Sequence, residues 1–224
     1  MDNEITSALP SNRLGDIAYA RILEALFSRK VLFGSFISQS ELAKMTGLGV
    51  GPVRDALKLL EADGVLFIHP RSGIEVVRPS TELARSTYQF RTIIERFAVR
   101  QFTRTASLKA LDDVIDLHER ARDDVAKLAS GHNFVDEMAE VEDGFHLPIC
   151  AALSNAIVDS AYGRLQLLSK IVKMNGLVTG RTAEISINEH LEVLLACKDR
   201  DPDRAEEAIV RHLNNALQRN LGLV

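Results

Sequence analysis

Apolar positions recur at helical spacing along almost the whole chain. The exception is a stretch before Pro79, where two short β-prone runs stand close together. Tyr19, Ile22, Leu23, Leu26 and Phe27 mark a first helix, and Lys30 to Phe36 reads as a loop around Gly34. Ser38-x-x-Glu41 has the spacing of a capping box, in which a hydroxyl covers an orphan N–H and the glutamate reaches back. It predicts a short helix from Gln39 to about Thr46, broken by Gly47-Leu48-Gly49. A second helix is expected over Val50–Ala62 on the stripe Val53, Leu57 and Leu60, with Gly64 placed to end it in a left-handed conformation. Val65–Ile68 and Ile74–Val77 flank His69-Pro70-Arg71-Ser72-Gly73, which is a hairpin signal. Helix, glycine turn, helix and hairpin in that order predict a winged helix-turn-helix. In that architecture the second helix can enter a major groove while the hairpin follows the backbone or the minor groove. A small α/β unit without any DNA role has the same pattern.

From Pro79 on, the periodicity is helical throughout. Six helices are expected: Thr81–Arg104, Ser107–Ala129, Phe134–Leu153, Asn155–Val178, Thr182–Asp199 and Pro202–Leu221. Asp201 as N-cap with Pro202 at the first helical position is the clearest start. Six helices with apolar faces make a bundle. The fold class is therefore mainly α: a winged helix-turn-helix over residues 13–78, then an antiparallel helical bundle over residues 80–222.

Composition narrows the classes. With 46% hydrophobic and 26% charged residues among 224, the chain fits a soluble globular protein and not a fibrous or low-complexity one. No apolar run approaches the roughly 18 residues of a membrane span. The first twelve residues lack a basic-then-apolar pattern, so no signal peptide is expected. Two cysteines, Cys150 and Cys197, make no disulfide framework, which fits a reducing cytoplasm. Residues 1–79 hold nine basic and nine acidic side chains, and the remainder eighteen and twenty-two. Electrostatics alone does not point to DNA.

The chemistry sits in polar residues on apolar faces. His212 falls within the stripe Ala208, Ile209, Leu213 and Ala216, and His190 shares the face of Ile187, Leu191 and Leu194. Glu142 and His146, four residues apart, lie on the face of Ile149, Cys150 and Leu153. An unpartnered polar group in an apolar interior costs about 2–7 kcal/mol, so something must compensate each of them. One divalent cation would compensate all four, since three imidazoles and a carboxylate are suitable ligands for zinc, nickel, iron or manganese. A core histidine bonded to a backbone carbonyl is the alternative for each. His118 reads as a solvated helix position and His132 as part of the Gly131 loop. Arg91 lies on the face of Tyr88, Ala98 and Phe102 with Glu95 one turn later. The pair reads first as structural, although an inward arginine is also the usual clamp for a ligand carboxylate.

Several stretches, taken in order, carry a resemblance. In the first part they are Glu41-Leu42-Ala43, Gly47, Pro52 to Leu57, Leu60-Glu61 and Asp63-Gly64. In the second they are Arg91-x-x-Ile94-Glu95, Glu142-x-x-Phe145-His146, Ser154-Asn155, Glu189-His190 and Asp201 to His212. On these the chain resembles GntR-type bacterial transcription regulators of the FadR group with a helical FCD effector domain, and six bundle helices look like the VanR-type subgroup. The resemblance implies a metal held by Glu142, His146, His190 and His212, with Glu142 where the family usually has aspartate, and zinc as the foremost metal. It implies a small organic-acid effector beside the metal, with Arg91 lining its pocket. It also implies a cytoplasmic homodimer that binds a palindromic double-stranded operator, more as repressor than activator, and not an enzyme.

In the DNA half the family usually begins its recognition helix with Ser-Arg-Thr and carries an arginine on the preceding helix. Here those positions are Gly49-Val50-Gly51 and Ser40, while Arg54 remains. The operator is expected to differ accordingly. His69, Arg71 and Ser72 are the wing candidates for backbone or minor-groove contact. Two other functions stay open on the residues alone: a metalloenzyme whose three-histidine, one-carboxylate site activates water, and a metal-free regulator whose histidines only hydrogen-bond.

Overall fold

The computed structural model describes residues 11–127, 133–174 and 178–223. His132, expected in a loop, lies outside them. The chain divides into two compact units between Pro79 and Ser80.

The first unit runs α1 (Ser11–Phe27), β1 (Phe36–Ile37), α2 (Gln39–Thr46), α3 (Val50–Ala62), β2 (Leu66–His69) and β3 (Gly73–Val76). The capping box forms: Ser38 Oγ accepts from the Glu41 N–H at 3.2 Å, and Glu41 Oε2 accepts from the Ser38 N–H at 2.8 Å. Gly47 ends α2 at φ 66°, a left-handed conformation that costs glycine little. Gly64 takes φ 76° after α3, and the Val65 N–H reaches back to the Leu60 carbonyl at 2.9 Å. Ile22, Leu26, Leu42, Val53, Leu57 and Leu60 are all buried between α1, α2 and α3.

The sheet has three strands in the order β1-β3-β2, all antiparallel, with Ile68 opposite Ile74 and Ile37 also opposite Ile74. The expected loop from Lys30 to Phe36 therefore ends in a strand. β1 is two residues long, Phe36 is 58% exposed, and the pairing partner lies some forty residues away, so no local pattern announces it.

The second unit holds α4 (Thr81–Thr105), α5 (Leu108–Lys127), α6 (Val135–Ala151), α7 (Ala156–Lys173), α8 (Gly180–Lys198) and α9 (Pro202–Asn220). Side-chain caps fix five of the starts. Ser80, Ser107, Asn155, Thr179 and Asp201 accept from backbone N–H groups of α4, α5, α7, α8 and α9. Thr179 explains why α8 begins two residues before the expected Thr182. α9 packs against α4 and α8, α8 against α5, and α4 also against α6 and α7. Ala98, Val99, Leu111, Ile149, Ile187 and Leu213 are at the heart of that core. Among the described residues no helix is long and apolar enough to cross a membrane.

Candidate functional site

Three helices of the second unit each turn one histidine inward. His146 on α6, His190 on α8 and His212 on α9 are all buried, and one ring nitrogen from each lies within 4.8 Å of the others. The Nε2 atoms of His190 and His212 are 3.2 Å apart, and His146 Nε2 is buried with no hydrogen-bond partner among the described residues. Phe145 stacks on His190 at 3.9 Å between ring centres, with the planes 10° apart.

The far side of each ring is held by a different residue. His146 Nδ1 lies 2.6 Å from Glu95 Oε2, and His212 Nδ1 lies 2.8 Å from Glu189 Oε2. A carboxylate only accepts, so both Nδ1 atoms carry the proton. Behind His190 stands His118, its Nε2 at 3.1 Å from His190 Nδ1 and its own Nδ1 at 2.7 Å from the Val114 carbonyl. The carbonyl also only accepts, so His118 is protonated on Nδ1 and bare on Nε2, which makes His190 the donor through Nδ1. In their neutral forms all three histidines then present a bare Nε2 lone pair toward one another, with no proton between them. That is the arrangement of metal-ligating histidines, whose second nitrogen is fixed by an outer acceptor. It can hold a divalent first-row cation.

Charge around the rings is balanced in pairs. Arg91 Nε donates to Glu95 Oε1 at 2.8 Å, and the Tyr162 hydroxyl donates to the same oxygen at 2.8 Å. Burial pushes the Glu95 carboxyl up, but Arg91 and then His146 outweigh it and hold it well below the usual carboxylate range. Arg219 and Asn215 hold Glu189. Burial opposes there too, yet hydrogen bonds from His212 and Arg219 keep Glu189 at about 2. Burial pushes His190 well below its ordinary value, with His212 adding to the effect. Burial likewise lowers His212 to about 4 against the opposing Glu189 hydrogen bond.

Glu142 is not gathered with the three histidines. Its Oε2 lies 3.4 Å from His146 Nε2 but is ion-paired with Lys173 of α7, and Ser186 Oγ is 3.5 Å from Oε1. Arg91 is buried, and its Nη1 donates to Ser169 Oγ at 3.1 Å. The reading of His118 as a solvated position is corrected: it is fully buried. Leu111, Ile115 and His118 fall at i, i+4 and i+7, one apolar stripe of α5, so the signal was in the sequence. Glu189 and Lys173 were not singled out from their faces either. Lys173 follows Ser169 by four residues on the inward side of α7, which was the available hint.

In the first unit the candidate DNA-facing residues are on the surface. Ser40, Gly49, Val50, Gly51, Arg54, Arg71 and Ser72 are exposed, and Gly49 caps α3 without a side-chain bond. His69 is half-buried and engaged, with Nε2 at 2.7 Å from Glu75 Oε2.

The bacterial regulatory protein gntR family matches residues 14–76, and the FCD domain family matches residues 86–215. The chain belongs to the GntR-type regulators with an FCD domain. It is 20% identical over 197 residues to the HTH-type transcriptional regulator YdhC of Bacillus subtilis, covering 88% of this chain and 86% of that one. It is 23% identical over 180 residues to the HTH-type transcriptional repressor RspR of Escherichia coli K12, covering 80% and 77%. A GntR transcriptional regulator from Rhodococcus sp. RHA1 shares the fold with a TM-score of 0.74 at 18% identity, over 96% of this chain and 98% of that one. This GntR-type chain is a DNA-binding transcription regulator. Its relatives regulate transcription and are not enzymes, which settles the metalloenzyme alternative.

Proposed function

We propose that this regulator is a homodimeric repressor whose helical unit binds one divalent metal on His146, His190 and His212, with a small carboxylate effector beside it. The observation that carries the reading is the convergence of three bare Nε2 lone pairs, each with its Nδ1 proton committed elsewhere. A proton or a cation has to lie between such atoms, and outward-locked tautomers favour the cation. Zinc suits three imidazoles, and nickel, iron and manganese are the other divalent metals proposed for this donor set. When bound, the metal supplies a positive centre that can take a ligand carboxylate. Glu142 stands 3.4 Å from His146 as the adjacent carboxylate, and the buried Arg91 is the candidate clamp for the effector.

The DNA-facing surface is the N-terminal end of α3 with Arg54, together with Ser40 and the wing residues Arg71 and Ser72. Free N–H groups at Gly49, Val50 and Gly51 suit a phosphate, and Arg54 can reach a base edge. His69, tied to Glu75, positions the wing. Two-fold operators call for two copies of the chain. α4 leaves Phe90, Ile93 and Phe97 exposed at 44%, 60% and 68%, an i, i+3, i+7 stripe that a second copy would bury.

Elemental analysis of the untagged chain tests the metal. One equivalent is expected in the wild type and none in His190→Ala/His212→Ala, with operator binding partly retained in the variant. Stoichiometric metal in that double variant, or none in the wild type, overturns the site. The second result leaves a metal-free regulator.

A further inference from the structure

Three ion pairs surround the three histidines: Arg91–Glu95, Arg219–Glu189 and Lys173–Glu142. Each pair is neutral, and metal-bound imidazoles are neutral as well. A divalent cation would therefore add two positive charges to a protein interior with nothing fixed to balance them, a costly state in a low-dielectric site.

In two of the pairs the carboxylate is held by several donors at once. Glu95 accepts from Arg91, Tyr162 and His146, and Glu189 accepts from His212, Asn215 and both terminal nitrogens of Arg219. The third is open. Lys173 brings three donors, and Glu142 is its ion-pair partner. The same Glu142 oxygen lies 3.4 Å from His146 Nε2, so the ammonium stands one carboxylate away from the histidine cluster. A monoanionic effector would leave one charge of the metal unbalanced, whereas a dianion would balance both.

We propose that the effector is a small dicarboxylate, and that Lys173 receives its second carboxylate while the first sits at the metal. Lys173 exchanges Glu142 for the ligand, and Glu142 is left beside His146. Diacids of three to five carbons span a range of spacings between two carboxylates and serve as the probes. The inference rests on the metal reading given above.

Calorimetric titration of the zinc-loaded full chain tests it, with malonate, succinate and glutarate set against propionate, butyrate and valerate. At least one diacid is expected to bind about tenfold or more tightly than the monoacid of equal length. Lys173→Gln is expected to bring the two within about twofold, and Lys173→Arg to keep the preference, with zinc content unchanged in both. Equal affinities in the wild type overturn the proposal without any substitution being needed, and so does a preference that survives Lys173→Gln. Zinc bound at one equivalent with no diacid preference removes this inference alone. Absence of zinc binding in the wild type removes the metal reading and this inference with it.

Discussion

The imidazole of His118 stands behind that of His190, Nε2 to Nδ1 at 3.1 Å, and decides which nitrogen of His190 is bare. His118→Phe keeps much of the volume and removes the acceptor. His190 can then place its proton on either nitrogen. Zinc affinity, measured by competition with a chelator, is expected to fall by about 10–100-fold, as for other outer partners of metal-bound histidines. Unchanged affinity would mean that the pair has no part in ligation.

Without metal, the cluster makes the protein sensitive to acid. His212 has an ordinary value of 6.5 and is lowered to about 4 by burial, so the folded state keeps it neutral where the unfolded chain already binds a proton. Its contribution is fully present above pH 6.5 and is lost as the pH falls from 6.5 to about 4. His190 acts in the same direction. For His212 the loss amounts to about 3 kcal/mol. Urea unfolding of chelator-treated protein at pH 7.5 and pH 4.5 measures it, and His212→Gln is expected to flatten the dependence.

Arg54 is exposed on the outward side of α3, one turn beyond the glycines that open it. If it reads a base edge, Arg54→Ala costs about 1–3 kcal/mol of operator binding. Fluorescence anisotropy on operator and scrambled duplexes separates that from a loss shared by every sequence, which would reduce Arg54 to a phosphate contact.

Gly73 opens β3 at φ 99°, and a Cβ there would meet the Ile37 carbonyl oxygen at 3.2 Å. Gly73→Ala is expected to destabilise the first unit by about 1–3 kcal/mol while leaving metal content in the second unchanged. Chemical denaturation followed beside elemental analysis checks both halves of that statement.

Phe97, the most exposed member of the α4 stripe, supplies the test of assembly. Phe97→Asp places a charge where a second copy would lie. Sedimentation equilibrium is expected to show the mass of a single chain, with operator affinity reduced. A variant still dimeric would place the two-fold face elsewhere.

Periodicity made most of this architecture legible. The helices stand where the stripes of Val53–Leu57–Leu60 and Ile209–Leu213–Ala216 require, and capping residues such as Ser38 and Asp201 mark their ends because they act locally. β1 escaped for the opposite reason: two residues paired across a long stretch of chain leave no pattern of their own. At the candidate site, face arguments found His146, His190 and His212 because each interrupts an apolar stripe. The same argument, applied to α5, would have found His118. Facing cannot reveal what lies opposite on another helix. That is why the Glu95 contact to His146, the Glu189 contact to His212 and the Lys173 grip on Glu142 emerged only in three dimensions.

At the hairpin tip, Pro70 is followed by Arg71 at φ 76°, and the turn closes with the Ser72 N–H donating to the His69 carbonyl at 3.3 Å. The backbone cost of a non-glycine residue in this conformation is offset by the pairing of the strands on either side. The torsional freedom of the tip is thus surrendered when the domain folds, not when a duplex arrives. On the proposed reading, the wing would meet a duplex with its backbone already turned, and the exposed side chains of Arg71 and Ser72 would adjust to it.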